Sequence, residues 1–287
     1  MTIRTILAAT SGGTASRGAV ALGCQLAQRF AAHLECFHVR VDPRELILAA
    51  SYGDYGMLMD GAWMERVEAD AEETAVRTRT AVMEILRQRG LVLADNPPQT
   101  EASSAWVEER GYAAIAVPRR ARFSDLVILG RSERVIGQAH TDVVEQTLIH
   151  SGRPVLLAPA EPSGIPGGIV AVGWDGSPPA VRALQASLPF LAGARLVLVI
   201  TAGDRSEESI PAVKQYLAWR KIGGEVRHVS RLATSHAGDL LLAVARDEGA
   251  DLLVMGGFGH TPWRELLFGG ATRDVIGTSS MPVLLSH

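Results

Sequence analysis

Short apolar runs alternate along this chain with longer stretches in which apolar and polar positions are mixed. Residues 3–9, 34–40, 102–108, 125–129 and 154–158 read as strands, and 14–31, 62–89, 111–121 and 141–151 as helices. After their leading aspartates, Asp125-Leu-Val-Ile-Leu129 and Asp251-Leu-Leu-Val-Met255 are apolar instead of alternating, which marks strands covered on both faces. Strands that alternate with helices imply right-handed crossovers and a mostly parallel sheet, so the pattern predicts an α/β fold.

The pattern occurs twice. Ile3-Arg-Thr-Ile-Leu-Ala-Ala-Thr10 followed by Ser-Gly-Gly matches Gly168-Ile-Val-Ala-Val-Gly-Trp174 followed by Asp-Gly-Ser. Asp125–Gly130 matches Asp251–Gly256, and Pro154-Val-Leu-Leu157 matches Pro282-Val-Leu-Leu285. The second copy carries a shorter helix near 207–222. These anchors keep their order, which implies an internal duplication. The expected fold is two tandem doubly wound, mostly parallel five-stranded sheets of Rossmann-like type. The expected domains are 1–159 and 168–287, joined by a Pro- and Gly-rich linker over 160–167. At 287 residues, two domains are also the expectation from length alone.

Composition narrows the function classes. With 47% hydrophobic and 21% charged residues the chain is an ordinary globular one, and its net charge of −3 gives no footprint for nucleic acid or an anionic membrane. No apolar run is long enough to span a bilayer, and the first residues lead into a strand without a cleavable signal. Cys24 and Cys36 sit in apolar patterns and read as buried free thiols. The expected location is the cytoplasm. Arg119, Arg120 and Arg122 read as a solvated helix end, and the variable segment 42–62, with Met57, Met59 and the nearby Met64, as a loop or lid in preference to a partner surface. The eight histidines show no H-x-x-x-H or H-E-x-x-H spacing and there is no Cys-x-x-Cys, so no metal site is expected. G-x-S-x-G is absent and no general base is identifiable, so no catalytic residue is assigned.

The candidate chemistry lies after the run 251–255. Gly256-Gly-Phe-Gly259 is followed by nine residues and then by Gly269-Gly-Ala-Thr272. Glycines at the carboxyl end of a parallel strand admit close backbone approach, and a helix start downstream offers unpaired N–H groups to an anion. Gly256, Gly259, Gly269, Gly270, Ala271 and Thr272 therefore read as a phosphate cradle, although Gly256 and Gly259 alone would equally make a tight turn. The chain contains neither a Walker loop nor a G-x-G-x-x-G fingerprint at this point. His260 either reaches the phosphate or is a solvated loop histidine, while Trp263 and Phe268 read as packing residues. Asp175, at the same sheet edge, either accepts hydrogen bonds from a ribose or adenine or caps the helix begun by Asp-Gly-Ser-Pro-Pro.

In the first copy Ser11 stands for Asp175, Glu133 for Gly259, and Thr141-Asp142 for Gly269-Gly270. Two carboxylates facing a phosphate would repel it by a few kcal/mol per close pair. The first copy is therefore expected to hold no nucleotide.

With these motifs in both halves, the chain resembles the tandem type of universal stress protein, whose fold is of the adenine nucleotide alpha-hydrolase-like kind. Nucleotide-binding members of that family carry G-x2-G-x9-G-[S/T] after the fourth strand and an Asp after the first. These positions are Gly256, Gly259, Gly269 and Asp175, and Gly270 departs from the pattern. The resemblance further implies that Ile200 and Thr201 border an adenine and that the last strand, near 282–286, pairs domains. The expected function is a stress-response protein binding ATP or a related adenine nucleotide, with or without Mg2+, in its second half. A homodimer with intramolecular domain pairing is expected, with no nucleic acid or membrane partner. Alternatives are a scaffold whose pocket has decayed and, from Ser11-Gly-Gly-Thr-Ala-Ser16, an ATP-pyrophosphatase-type enzyme in which Ala15 replaces the acidic residue.

Overall fold

The structure is a computed structural model that describes residues 2–45, 61–94, 101–131, 139–162, 164–202, 208–222, 225–231, 237–257 and 281–287. The chain divides into two compact units, one of residues 4–130 with 135–153 and one of 1–3, 131–134 and 154–287.

The first unit runs β1 (Thr5–Thr10), α1 (Thr14–Phe30), β2 (His33–Val41), α2 (Gly61–Gln88), β3 (Val92–Leu93), β4 (Ser103–Gly111), α3 (Ala113–Ala121), β5 (Leu126–Gly130) and α4 (Ala139–His150). Its strands lie in the order β3-β4-β2-β1-β5, and the paired strands are parallel. β5 and the middle of β1, Ile6 to Ala8, are buried, which explains their unbroken apolar runs. α1 ends where Ala31 turns left-handed (φ 49°) and donates its N–H to the Ala27 carbonyl, closing the last turn. Along the 28-residue α2 only Ala75, Thr78, Val82 and Leu86 are buried, a narrow stripe at helical spacing on an otherwise polar helix.

The second unit runs β6 (Val155–Ala158), β7 (Ile169–Gly173), α5 (Pro178–Leu191), β8 (Leu196–Ala202), α6 (Ile210–Trp219), β9 (Glu225–Arg231), α7 (Ala237–Asp247), β10 (Leu252–Gly256) and β11 (Val283–Ser286). The order is β6-β11-β10-β7-β8-β9. β11-β10-β7-β8-β9 is a parallel five-strand set, and β6 joins β11 antiparallel with Val283 opposite Leu157. The run 154–158, which pattern alone assigns to the first copy, thus lies in the second unit. The four residues of β6 are apolar and buried, and the edge of β11 supplies their backbone partners.

The duplication recurs in one contact. In the first unit Asp125 Oδ2 accepts the N–H groups of Arg4 (2.8 Å) and Thr5 (3.0 Å). In the second, Asp251 Oδ2 accepts those of Gly168 (2.8 Å) and Ile169 (3.2 Å). Each carboxylate ties the start of one strand, β5 or β10, to the start of its parallel neighbour, β1 or β7.

Two surface readings need revision or gain a cause. The Arg119-Arg120-Arg122 cluster is paired, not merely solvated. Arg120 grips Glu35 with two bonds of 2.7 Å and stands 5.5 Å from the Phe37 ring, Arg119 pairs with Glu109, and Arg122 donates to the His150 carbonyl. The carboxylates sit on β2 and β4, too distant in sequence for local pattern to link them. Cys24 and Cys36 are buried free thiols, and burial pushes Cys24 up to about 12 and Cys36 higher still.

Candidate functional site

The carboxyl ends of β7, β8 and β10 come together at one sheet edge. Beyond β7, Trp174 is buried. Its N–H donates to the Ile200 carbonyl at the end of β8 (2.9 Å) and its indole N–H to Ser209 Oγ (2.8 Å). This pinned residue delivers the chain to Asp175, which is half-buried at the edge. Asp175 Oδ1 accepts the Ser177 N–H at 2.9 Å, and Ser177 Oγ in turn accepts the Ala180 N–H at 3.3 Å, capping α5 with Pro178 and Pro179 in its first turn. One carboxylate oxygen therefore has the turn-forming role that sequence alone leaves open against binding.

Gly256 closes the other side of this turn. A Cβ built on it would lie 2.7 Å from the Ala180 nitrogen, 2.8 Å from the Pro179 carbonyl carbon and 2.9 Å from Pro179 Cβ. The glycine has a structural reason independent of any ligand, because the end of β10 rests directly on the first turn of α5. Parallel pairing of β10 with β7, Val254 opposite Val172, sets that contact. Next along the chain, the Gly257 N–H donates to the Ser286 carbonyl (2.7 Å).

Ile200 and Thr201 end β8, and both are fully buried. Thr201 Oγ1 lies 2.9 Å from His228 Nε2 on β9. What they visibly do here is pack and bond: Ile200 anchors Trp174 through its carbonyl, and Thr201 bonds across to His228. Gly259, His260, Gly269, Gly270, Ala271 and Thr272 lie outside the described residues, as do Trp263 and Phe268. Among the described residues, Asp175, Ile200, Thr201 and Gly256 are brought to one edge. Sequence reading missed Trp174, Ser209 and His228, the residues that hold this edge together. A buried tryptophan directly before Asp175 was the available signal.

The corresponding edge of the first unit is built differently. Gly130 repeats the Gly256 contact, since a Cβ there would fall 2.1 Å from the Ala15 carbonyl oxygen. The loops after the first strands diverge. Gly12 (φ 84°) and Gly176 (φ 74°) share a left-handed conformation, but a Cβ on Gly12 would meet Thr78 Oγ1 of α2 at 2.6 Å. One on Gly176 would meet no described atom within 4 Å. The long helix α2 lies over the first loop, whereas no described residue covers the second loop on that side. Glu133 and the side chains of Thr141 and Asp142 lie outside the described residues. Among the described residues no three His, Cys, Asp or Glu side chains form a metal-binding group, and no helix is long and apolar enough to cross a membrane.

Comparison with known proteins bears on this arrangement. Residues 168–287 match the model of the universal stress protein family. A universal stress protein of Synechocystis is 28% identical over 173 residues, 56% of this chain and 57% of that protein. One of Methanocaldococcus jannaschii is 34% identical over 64 residues, 22% of this chain and 38% of that protein. The chain thus spans about half the length of these two relatives or less. In three dimensions, a universal stress protein from Archaeoglobus fulgidus matches with a TM-score of 0.69 at 15% identity, covering 98% of this chain and 97% of that one, a likeness of fold.

Proposed function

We propose that this chain, whose residues 168–287 match the universal stress protein family model, serves the stress response by binding one adenine nucleotide at the carboxyl edge of the second unit's sheet. The nucleotide's phosphates lie on the glycine motif that opens at Gly256, and its ribose or base contacts Asp175. The observation that carries this reading is that Asp175 and Gly256, the start of the Gly256-x2-Gly259-x9-Gly269 motif, both meet the first turn of α5, with no described residue over Gly176. Backbone N–H groups there would meet a polyphosphate. Gly270 preserves such a backbone contact and gives up only a hydroxyl.

In the first unit, the side of the β1 loop that corresponds to this opening is occupied by Thr78 and Thr74 of α2. Nucleotide occupancy is therefore one per chain. ATP serves as a bound signal and not as a substrate for chemistry, and the protein acts in the cytoplasm as a homodimer.

Isothermal titration of the full chain with ATP tests this. The expected result is a stoichiometry near one, abolished in Gly269→Glu. Binding at 100 times Kd would also raise the unfolding free energy by about 2.7 kcal/mol. Saturating ATP with neither heat nor a shift in melting temperature overturns the reading.

A further inference from the structure

The first unit contains a cavity of about 400 Å³ at the carboxyl ends of β1, β2 and β5, roofed by α2 and α3. That volume is within the range of small-molecule sites. Its walls are mainly apolar: Phe37 and Val39 from β2, Leu129 from β5, Val67 and Ala71 from α2, and Val117 from α3. Among the described residues the lining includes Asp70 but no lysine or arginine. Such a pocket penalises an anion, which would enter without a counter-charge and against a like charge.

The polar atoms in the wall mostly accept. Thr10 Oγ1 gives its hydrogen to the Phe37 carbonyl (3.2 Å) and Ser16 Oγ gives its own to the Gly13 carbonyl (2.8 Å), so both present lone pairs. His38 is 3% exposed and stacks on Trp106 with centroids 5.7 Å apart. Its Nδ1 lies 2.9 Å from the Thr10 carbonyl, which can only accept, so Nδ1 carries the proton. Burial holds the imidazole below its usual pKa, outweighing the Thr10 carbonyl and Glu108, and the neutral ring leaves Nε2 as an acceptor. Among the described residues Nε2 has no hydrogen-bond partner, although the ring lines the cavity.

We infer that the first unit binds a neutral, largely apolar small molecule bearing one N–H or O–H donor, with its rings or chain against Phe37, Val117 and Leu129 and its donor on His38 Nε2. The duplicated fold would then present two sites of opposite chemistry, and this one does not depend on nucleotide binding by the second unit.

The test is a fluorescence titration of the full chain with N-phenyl-1-naphthylamine, a neutral aromatic amine with a single N–H that brightens in apolar surroundings. A saturable rise at one probe per chain is expected. Ala71→Trp and Val67→Trp each fill the cavity from α2 and should weaken binding at least about tenfold. Their unfolding midpoints show whether each variant is folded, and two are made so that at least one reads out. 1-Phenylnaphthalene, which has the same rings without the N–H, should compete several-fold more weakly than the amine. Trp219→Ser, at an exposed tryptophan of the second unit, should leave the titration unchanged. The inference fails if both folded cavity variants bind as the parent does, if the hydrocarbon binds as well as the amine, if Trp219→Ser abolishes the signal, or if ATP displaces the probe competitively.

Discussion

Gly256 and Ala180 are in contact through backbone alone, since a Cβ on the glycine would stand 2.7 Å from the Ala180 nitrogen. The Ala180 N–H is the group that Ser177 caps, so the strand end and the helix start form one rigid corner. Gly256→Ala should force β10 away from α5 and lower stability by about 1–3 kcal/mol, the usual cost of overpacking. Gly130→Ala, with its contact of 2.1 Å to the Ala15 carbonyl oxygen, should cost at least as much. Urea unfolding of the two variants measures both effects, and a loss below about 0.5 kcal/mol in either would contradict this account of the glycines.

The paired carboxylates make a second prediction. Asp251 accepts from Gly167 (2.7 Å), Gly168 and Ile169, and Asp125 from Arg4, Thr5 and the Thr5 hydroxyl. Asp251→Ala leaves three backbone N–H groups without that acceptor and should cost about 2–3 kcal/mol. Asp251→Asn, which keeps an acceptor, should cost less. Equal losses in the alanine and asparagine variants would mean that packing, not hydrogen bonding, is responsible.

The alternation of elements and the duplication were legible because parallel strands covered on both faces leave unbroken apolar runs. The Asp-Leu-Val/Leu motif at 125 and 251 marked the repeat, although its role as a tie between strand starts needed coordinates. The partner of β6 was not legible: Val155–Ala158 reads the same whichever sheet takes it, and only β11 decides. Nor was the cover over Gly12, because Thr78 is one of many threonines and nothing local says that it meets a loop some sixty residues earlier. For the site, glycine spacing located the sheet edge and Asp175, but the spacing is blind to the packing demand that Pro179 and Ala180 place on Gly256.

Acid should weaken the first unit through its histidines. His33 and His38 both lie below the usual value near 6.5, in each case chiefly by burial. The folded state keeps them neutral while the unfolded chain takes up protons first. The stability they confer is present above pH ~6.5 and is lost as pH falls through their folded values. The urea midpoint should therefore drop between about pH 7 and about pH 5. His38→Asn should flatten that dependence, and an unchanged slope in this variant would remove His38 from the explanation.

Thiol chemistry offers an independent check on the core. Cys24 is pushed up to about 12 and Cys36 further, and both are inaccessible, so neither forms thiolate at neutral pH. A disulfide-exchange reagent such as DTNB should report no fast thiol on the native protein at about pH 8 and two per chain after unfolding in urea. A fast-reacting native thiol would show that the α1–β2 layer opens readily.

Asp175 has two roles to separate, and one substitution does so. Its Oδ1 holds the Ser177 N–H at 2.9 Å, a task an asparagine carbonyl performs equally well. Asp175→Asn should therefore keep stability within about 0.5 kcal/mol of the parent. A ribose hydroxyl or adenine amine donating to the carboxylate would lose a charge-assisted bond in this variant. Bonds of that kind are worth about 1.5–3 kcal/mol, so ATP affinity should fall about tenfold or more. Asp175→Ala should lose both the turn and the ligand. If Asp175→Asn binds ATP as tightly as the parent, the residue is a turn former only and the ligand contacts must come from elsewhere along the edge.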